Sequence, residues 1–167
     1  MKNYKSLFVG VLAVLFLTGC GGEKKESAKV DSNKNMSKKE RIAKKFGLTV
    51  FELDNGIGPI KEKLKLGPID PAMVEKGKGL FETKCASCHK LDERFTGPAQ
   101  RDVIERRSPE YIMNMILNPE EMLNKHPEAK KMLAVYMTKM TFQNVTREEA
   151  RDILEYFRSV DTKKENK

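Results

Sequence analysis

Cysteine and histidine are the scarce residues here, three and two respectively in a chain of 167. An odd number of cysteines rules out a framework of disulfides alone, because one thiol would be left over. No stretch alternates apolar and polar residues over a useful length, which excludes a β-sheet domain, and no internal repeat is visible. The longest uncharged apolar run, Ser6 to Gly19, is short for a membrane span. The length accommodates one domain with extensions and excludes a large multi-domain enzyme. Charge, by contrast, is abundant. Lys and Arg number 32 against 24 Asp and Glu, a formal +8 with a pI of about 9.3. Charged residues make up 34% of the chain and hydrophobic ones 39%. That is polar for a packed core, so either part of the chain is tail or something other than side chains completes the core.

The charge is unevenly placed. Lys2 and Lys5 precede the apolar run, the layout of a secretory signal over residues 1–19. The run closes in Leu17-Thr18-Gly19-Cys20, which resembles the lipobox of bacterial lipoproteins. That resemblance implies cleavage before Cys20, lipidation of its sulfur, and firm attachment at about 0.8 kcal/mol per buried CH₂. An ordinary cleaved signal and an uncleaved anchor are the alternatives. Residues 20–45 are rich in Lys, Asn and Ser, carry 9 Lys+Arg against 4 Asp+Glu, and have too few apolar residues to order themselves. They read as a flexible tether that ends in a short helix, with a capping box at Ser37 and Glu40 and a stop at Gly47. Residues 46–167 hold 21 Lys+Arg and 20 Asp+Glu. The basic balance therefore belongs to the signal and to a tether beside anionic lipid head groups, and an exported, nearly neutral domain does not seek nucleic acid.

Residues 46–70 are too apolar for a free linker, with Phe46, Leu48, Val50, Phe51, Leu53, Ile57 and Ile60, and Asn55-Gly56 and Gly58-Pro59 mark turns. They read as an extension packing on the domain over residues 71–161. That domain is all-α. Asp70-Pro71 caps a helix expected to run through Cys85, with Val74, Gly77, Leu80 and Phe81 on one face. Ser108-Pro109 opens a second, which Asn118-Pro119 ends, and Asn118 with Glu121 is expected to cap a short turn of helix. His126-Pro127 opens a fourth helix, and Thr146 with Glu149 caps the last, whose apolar face is Ala150, Ile153, Leu154 and Phe157. Residues 162–167 read as a disordered tail.

Two cysteines remain, in Cys85-Ala86-Ser87-Cys88-His89. Cys-x-x-Cys-His is the attachment spacing of a c-type haem. Two thiols on one helical turn can add to the two vinyl groups on one porphyrin edge, and the adjacent imidazole is then placed to bind the iron. Three alternatives use some of the same residues. A thioredoxin-like redox pair follows a strand, whereas a helix leads into this motif. A zinc site wants a fourth ligand, and the only other histidine is His126. A disulfide between exported thiols would close a small strained loop.

Residues 71–160 resemble a class I, monohaem cytochrome c. The resemblance rests on Gly77-x-x-x-Phe81-x-x-x-Cys85, on Ile153 and Tyr156 of the last helix, and on Gly97-Pro98 after the haem motif. It implies one covalently bound haem c held by Cys85 and Cys88, with His89 as the proximal iron ligand. It also implies that the Pro98 carbonyl accepts the Nδ1–H of that imidazole and fixes its orientation. The sixth ligand would be a Met on a loop before the last helix. Met140 fits best, although Thr141 stands where the family usually has Pro; Met137 and then His126 follow. Met113, Met115, Met122 and Met132 read as core. Arg101, Arg106, Arg107 and Tyr111 fall in a region that often approaches the haem propionates, though a solvated basic stretch reads equally well.

Both axial positions filled would make this an electron carrier and not an enzyme. The expected protein is a monomeric carrier anchored by lipid in the cell envelope, facing the periplasm or the exterior. Its donor would be a quinol-oxidising complex and its acceptor a terminal oxidase or an exported reductase, such as one for a nitrogen oxide. A haem peroxidase or gas sensor with an open distal site, and a thiol–disulfide oxidoreductase, are the competing functions.

Overall fold

The computed structural model describes residues 36–161. The expected signal, the Cys20 lipidation site, most of the tether and the tail over 162–167 lie outside the described residues. Among those described there are eight α-helices and no strand.

The helix starts follow local chemistry. Helix α1 (Lys38–Lys45) opens on a reciprocal pair, Ser37 Oγ accepting the Glu40 N–H and the Glu40 carboxylate accepting the Ser37 N–H, and Gly47 leaves it at φ +66°. Thr49 and Glu52 repeat that box at α2 (Val50–Asn55), a helix not expected from the sequence pattern. Asp70 accepts the Ala72 N–H at 2.8 Å to start α3 (Pro71–Leu80). A short α4 (Val103–Arg106) follows, again unanticipated, and then α5 (Pro109–Leu117), capped by Ser108. Helices α6 (Pro119–Lys125), α7 (Pro127–Tyr136) and α8 (Arg147–Ser159) complete the order. Thr146 and Glu149 form the expected box at α8.

Two expectations need correction. Asn118 stands at the N-cap of α6 and pairs with Glu121 as expected, but its side chain accepts no backbone N–H: the amide donates to the Glu121 carboxylate at 2.8 Å and to Ile57 O at 3.3 Å, and Pro119 needs no partner for the N–H it lacks. The helix after Asp70 does not stay α-helical to Cys85. It widens over Phe81–Cys85 into a π-turn, in which the Ala86 N–H reaches back five residues to Phe81 O at 2.9 Å.

Helices α3 and α8 cross closely because Gly77 has no side chain. A Cβ there would sit 2.0 Å from Asp152 O. Across the crossing, Phe81 meets the rings of Tyr156 and Phe157 at centroid distances of 5.7 Å.

The extension over residues 46–70 lies along α5, α6 and α8 by specific bonds. Asn114 of α5 is fully buried. Its amide donates to Asn55 O at 2.9 Å and Ile60 O at 3.0 Å, and its Oδ1 accepts the Ile60 N–H at 2.9 Å. Glu110, also on α5, accepts the Leu64 N–H at 2.8 Å and the Lys63 ammonium at 3.0 Å. On α8, buried Glu155 accepts the Asp70 N–H at 3.0 Å, and Arg158 donates to Gly67 O at 2.7 Å. Asn114 thereby satisfies buried backbone of Asn55 and Ile60, and the other three side chains tie down less buried backbone of residues 64–70.

The apolar core is in two pieces. One joins Phe81, Ile112, Ile116, Ile153 and Phe157 with Ile60 from the extension. The other joins Tyr111, Met122, Leu123 and Ala129 with Ile57, and Met140 and Leu133 pack against it.

Candidate cofactor site

Residues of both core pieces line one cavity of about 550 Å³. Phe81, Ile112 and Phe157 come from the first piece, and Tyr111, Leu133 and Met140 from the second. The domain thus leaves an apolar gap between the two pieces of its core. That size is in the range of pockets that bury a cofactor.

Cys85, Cys88 and His89 all line this cavity. The π-turn delivers Cys85, whose carbonyl then accepts the N–H of Cys88 at 3.0 Å and of His89 at 2.9 Å. Those two bonds curl the pentapeptide into one tight loop with its three reactive side chains on the same cavity. Cys85 is half-buried, and burial pushes its thiol up to about 11. Cys88 is exposed.

The chain then folds back so that Gly97 donates to Cys88 O at 2.8 Å and passes against the His89 ring. A Cβ on Gly97 would lie 2.3 Å from His89 Cε1 and 2.6 Å from Nδ1. Only glycine leaves room for the imidazole here. The next residue supplies the ring's partner, with His89 Nδ1 at 3.0 Å from Pro98 O. A carbonyl oxygen only accepts, so Nδ1 carries the proton and Nε2 keeps its lone pair. A histidine held in this tautomer is a ready metal ligand.

The methionines separate clearly. Met140 is half-buried and lines the cavity, whereas Met137, at the left-handed end of α7, is 83% exposed and does not. His126 is fully buried elsewhere. Its Nδ1 accepts the Glu128 N–H at 3.2 Å, and its Nε2 donates to Leu53 O at 3.1 Å, so both nitrogens hold backbone. Burial keeps this imidazole below its ordinary basicity. Met113 and Met122 are buried in the core, and Met115 and Met132 line the cavity.

Of the basic candidates, Arg106 and Arg107 line the cavity. Arg106 donates to Arg101 O at 2.9 Å and Ala99 O at 2.8 Å. Arg107 lies over the Tyr111 ring at 5.2 Å. Arg101 turns away, bonding Asp92 and Val160 O, and is not part of the lining. The Tyr111 hydroxyl is buried and has no hydrogen-bond partner among the described residues, and burial pushes it up to about 12. An orphaned donor on the wall of an apolar cavity suits a bound group that brings an acceptor.

The sequence pattern gave no hint of Gln100. Its amide nitrogen lies 2.8 Å from Pro98 O and 2.9 Å from His89 Nδ1. No motif marks a glutamine, and only the fold-back of residues 89–101 brings it to the ring.

An apolar cavity, a paired-thiol loop, an oriented imidazole and a thioether therefore converge, and the donor set fits a covalently attached haem. Comparison with known proteins agrees. The family model described as cytochrome c matches residues 74–161. A solved cytochrome c from Rhodothermus marinus is 49% identical, with a TM-score of 0.63, over 67% of this chain and 97% of that one. An engineered form of that cytochrome is 48% identical with the same TM-score, over 66% and 96%. Cytochrome c-551 of Stutzerimonas stutzeri is 37% identical over 41 residues, which are 24% of this chain and 39% of that protein. The chain thus spans about two-fifths of the length of this curated relative.

Proposed function

The chain belongs to the cytochrome c family, whose members carry one covalently attached haem and carry electrons, and from that premise we propose a membrane-tethered, monomeric electron carrier. The observation that supports the reading most is the His89–Pro98 bond, which keeps the proton on Nδ1 and leaves the Nε2 lone pair beside a cavity that Cys85, Cys88 and Met140 also line. When bound, the haem supplies the Fe(III)/Fe(II) couple. Cys85 and Cys88 would hold it through thioethers, each S–H adding across one vinyl group with no by-product. His89 Nε2 and Met140 Sδ would ligate the iron, leaving it no open site for a substrate. The two apolar core pieces would keep water from the ring, and Tyr111, Arg106 and Arg107, which line the cavity, would offer donors to its carboxylates.

The setting follows from the sequence. Lipidated Cys20 anchors the mature chain in the cell envelope, facing the periplasm or the exterior, and residues 20–45 tether the domain near its partners at high effective concentration. The extension over 46–70 joins tether to domain. A quinol-oxidising complex donates, and a terminal oxidase or an exported reductase, such as one for a nitrogen oxide, accepts.

Haem staining of the exported protein on a denaturing gel is the first test. A stained band with a Soret absorbance supports the carrier, whereas two alkylatable thiols and no Soret band would establish a thiol–disulfide oxidoreductase instead. Reduced wild-type protein should fail to bind carbon monoxide, and Met140→Ala should bind it while Met137→Ala does not. Carbon monoxide binding by the wild type would favour a peroxidase or gas sensor. Cys20→Ser should release the protein from membranes.

A further inference from the structure

Gln100 stands where no attachment motif calls for a polar side chain, yet its amide touches the bond that orients His89. Gln100 Nε2 is 2.8 Å from Pro98 O and 2.9 Å from His89 Nδ1, while Nδ1 is 3.0 Å from the same oxygen. Three atoms thus form a nearly equilateral triangle with a single acceptor at one corner. With the Nε2 lone pair of His89 given to the iron, Nδ1 carries the ring proton and donates it to Pro98 O, and the Gln100 amide turns Nε2 to the same oxygen, because Oε1 in that place would face carbonyl lone pairs. The loop is closed around the site: the Gln100 N–H bonds Lys90 O at 3.0 Å, and the Arg101 N–H bonds Leu91 O at 2.8 Å. Gln100 is half-buried and lines the cavity.

We propose that Gln100 is a positioning residue that raises the reduction potential of the haem by weakening the His89–Pro98 hydrogen bond. The inference rests on His89 being the axial ligand. An imidazole bound to a metal becomes a stronger electron donor as its Nδ1–H bond strengthens. Pro98 O divides its lone pairs between two donors, so the imidazole receives less negative charge. The amide hydrogens also place positive potential beside the ring. Both effects disfavour Fe(III) relative to Fe(II).

The test is a redox titration of the haem-loaded full chain carrying Gln100→Leu, together with proton NMR of His89 Nδ1–H in the diamagnetic ferrous state. The oxidised-to-reduced ratio at fixed ambient potential should rise about three- to tenfold, a fall of ~30–60 mV by the one-electron conversion. The Nδ1–H resonance should move downfield as the bond to Pro98 strengthens. Drying the cavity with leucine would by itself raise the potential, so an unchanged or raised value overturns the proposal. Gln100→Glu, which keeps the shape and removes the donors facing Pro98, should lower the potential further, and an unaltered potential there also overturns it. A wild-type protein without covalent low-spin haem would overturn the carrier reading itself, an outcome visible before any variant is made.

Discussion

Gly97→Ala puts the smallest possible change against the most constrained side chain of the site. Its Cβ would lie 2.3 Å from His89 Cε1, where ordinary contact begins at 3.4 Å, so the ring must retreat by about 1 Å or the loop must open. Retreat stretches the 3.0 Å Nδ1···Pro98 O bond to about 4 Å, beyond hydrogen-bonding range. Losing that bond costs about 0.5–1.5 kcal/mol. Opening the loop instead sacrifices the 2.8 Å bond from the Gly97 N–H to Cys88 O. Overpacking adds about 1–3 kcal/mol by either route. The sum is about 1.5–4.5 kcal/mol, borne by the seat of His89 and not by the distant helices. Thermal unfolding of the haem-loaded variant, followed at the Soret band and by far-ultraviolet circular dichroism, should show a lowered midpoint. The ferric spectrum should acquire high-spin character at temperatures where the helices remain intact. A variant within ~0.5 kcal/mol of wild type and with an unchanged spectrum would refute the reasoning.

Three further outcomes follow from the packing. Gly77→Ala would add a Cβ 2.0 Å from Asp152 O and should destabilise by ~3 kcal/mol in denaturant titration. Helix propensity alone would favour alanine by ~1 kcal/mol, so a stabilised variant would disprove the close crossing. Asn114→Leu removes the partner of the Ile60 N–H and of three extension carbonyls, those of Asn55, Gly56 and Ile60; a loss of ~3 kcal/mol or more and rapid hydrogen exchange at Ile60 are expected. Slow exchange there would contradict the role. For Glu155, burial alone would raise the carboxyl, but Arg151, Arg158 and the Asp70 N–H overcome it and hold it below the ordinary 4.5. A depressed folded-state value means that its contribution is fully present above pH ~4.5 and is lost as pH falls through the folded value. The difference in melting temperature between wild type and Glu155→Gln should therefore be constant near neutrality and shrink below pH 4.5; a constant difference down to pH 3 would oppose it.

Most helix starts were legible because a cap is a local bond, although the equally local Thr49–Glu52 box of α2 went unread. Ser37, Asp70, Ser108, His126 and Thr146 each accept a backbone N–H two or three residues on, and that chemistry needs no tertiary partner. Asn118 reads correctly as the N-cap of α6, but the extension decides what its side chain bonds: the amide donates to Ile57 O and to Glu121, and no backbone N–H reaches its oxygen. The short helix α4 carries no side-chain cap hydrogen bond and begins after Asp102 at φ +57°, which leaves no local signal to read. The extension looked apolar and without chemistry. Its specific attachment depends on Asn114, Glu110, Glu155 and Arg158, polar residues that read as solvated until the helices bury them.

The amino-acid order alone determined the reactive set. Two thiols and an imidazole within five residues are covalent neighbours in any fold, and the scarcity of cysteine and histidine left few other places for such chemistry. The order also determined that +5 of the charge lies over residues 21–45 and only +1 over 46–167, which kept the high pI from describing the domain. The resemblance ranked Met140 ahead of Met137, but only the fold brings Met140 to the cavity and, through the left-handed residue ending α7, leaves Met137 in solvent. The same holds for Gln100 and for the gap between the two core pieces. A cavity is a property of how helices pack, and no residue carries it singly.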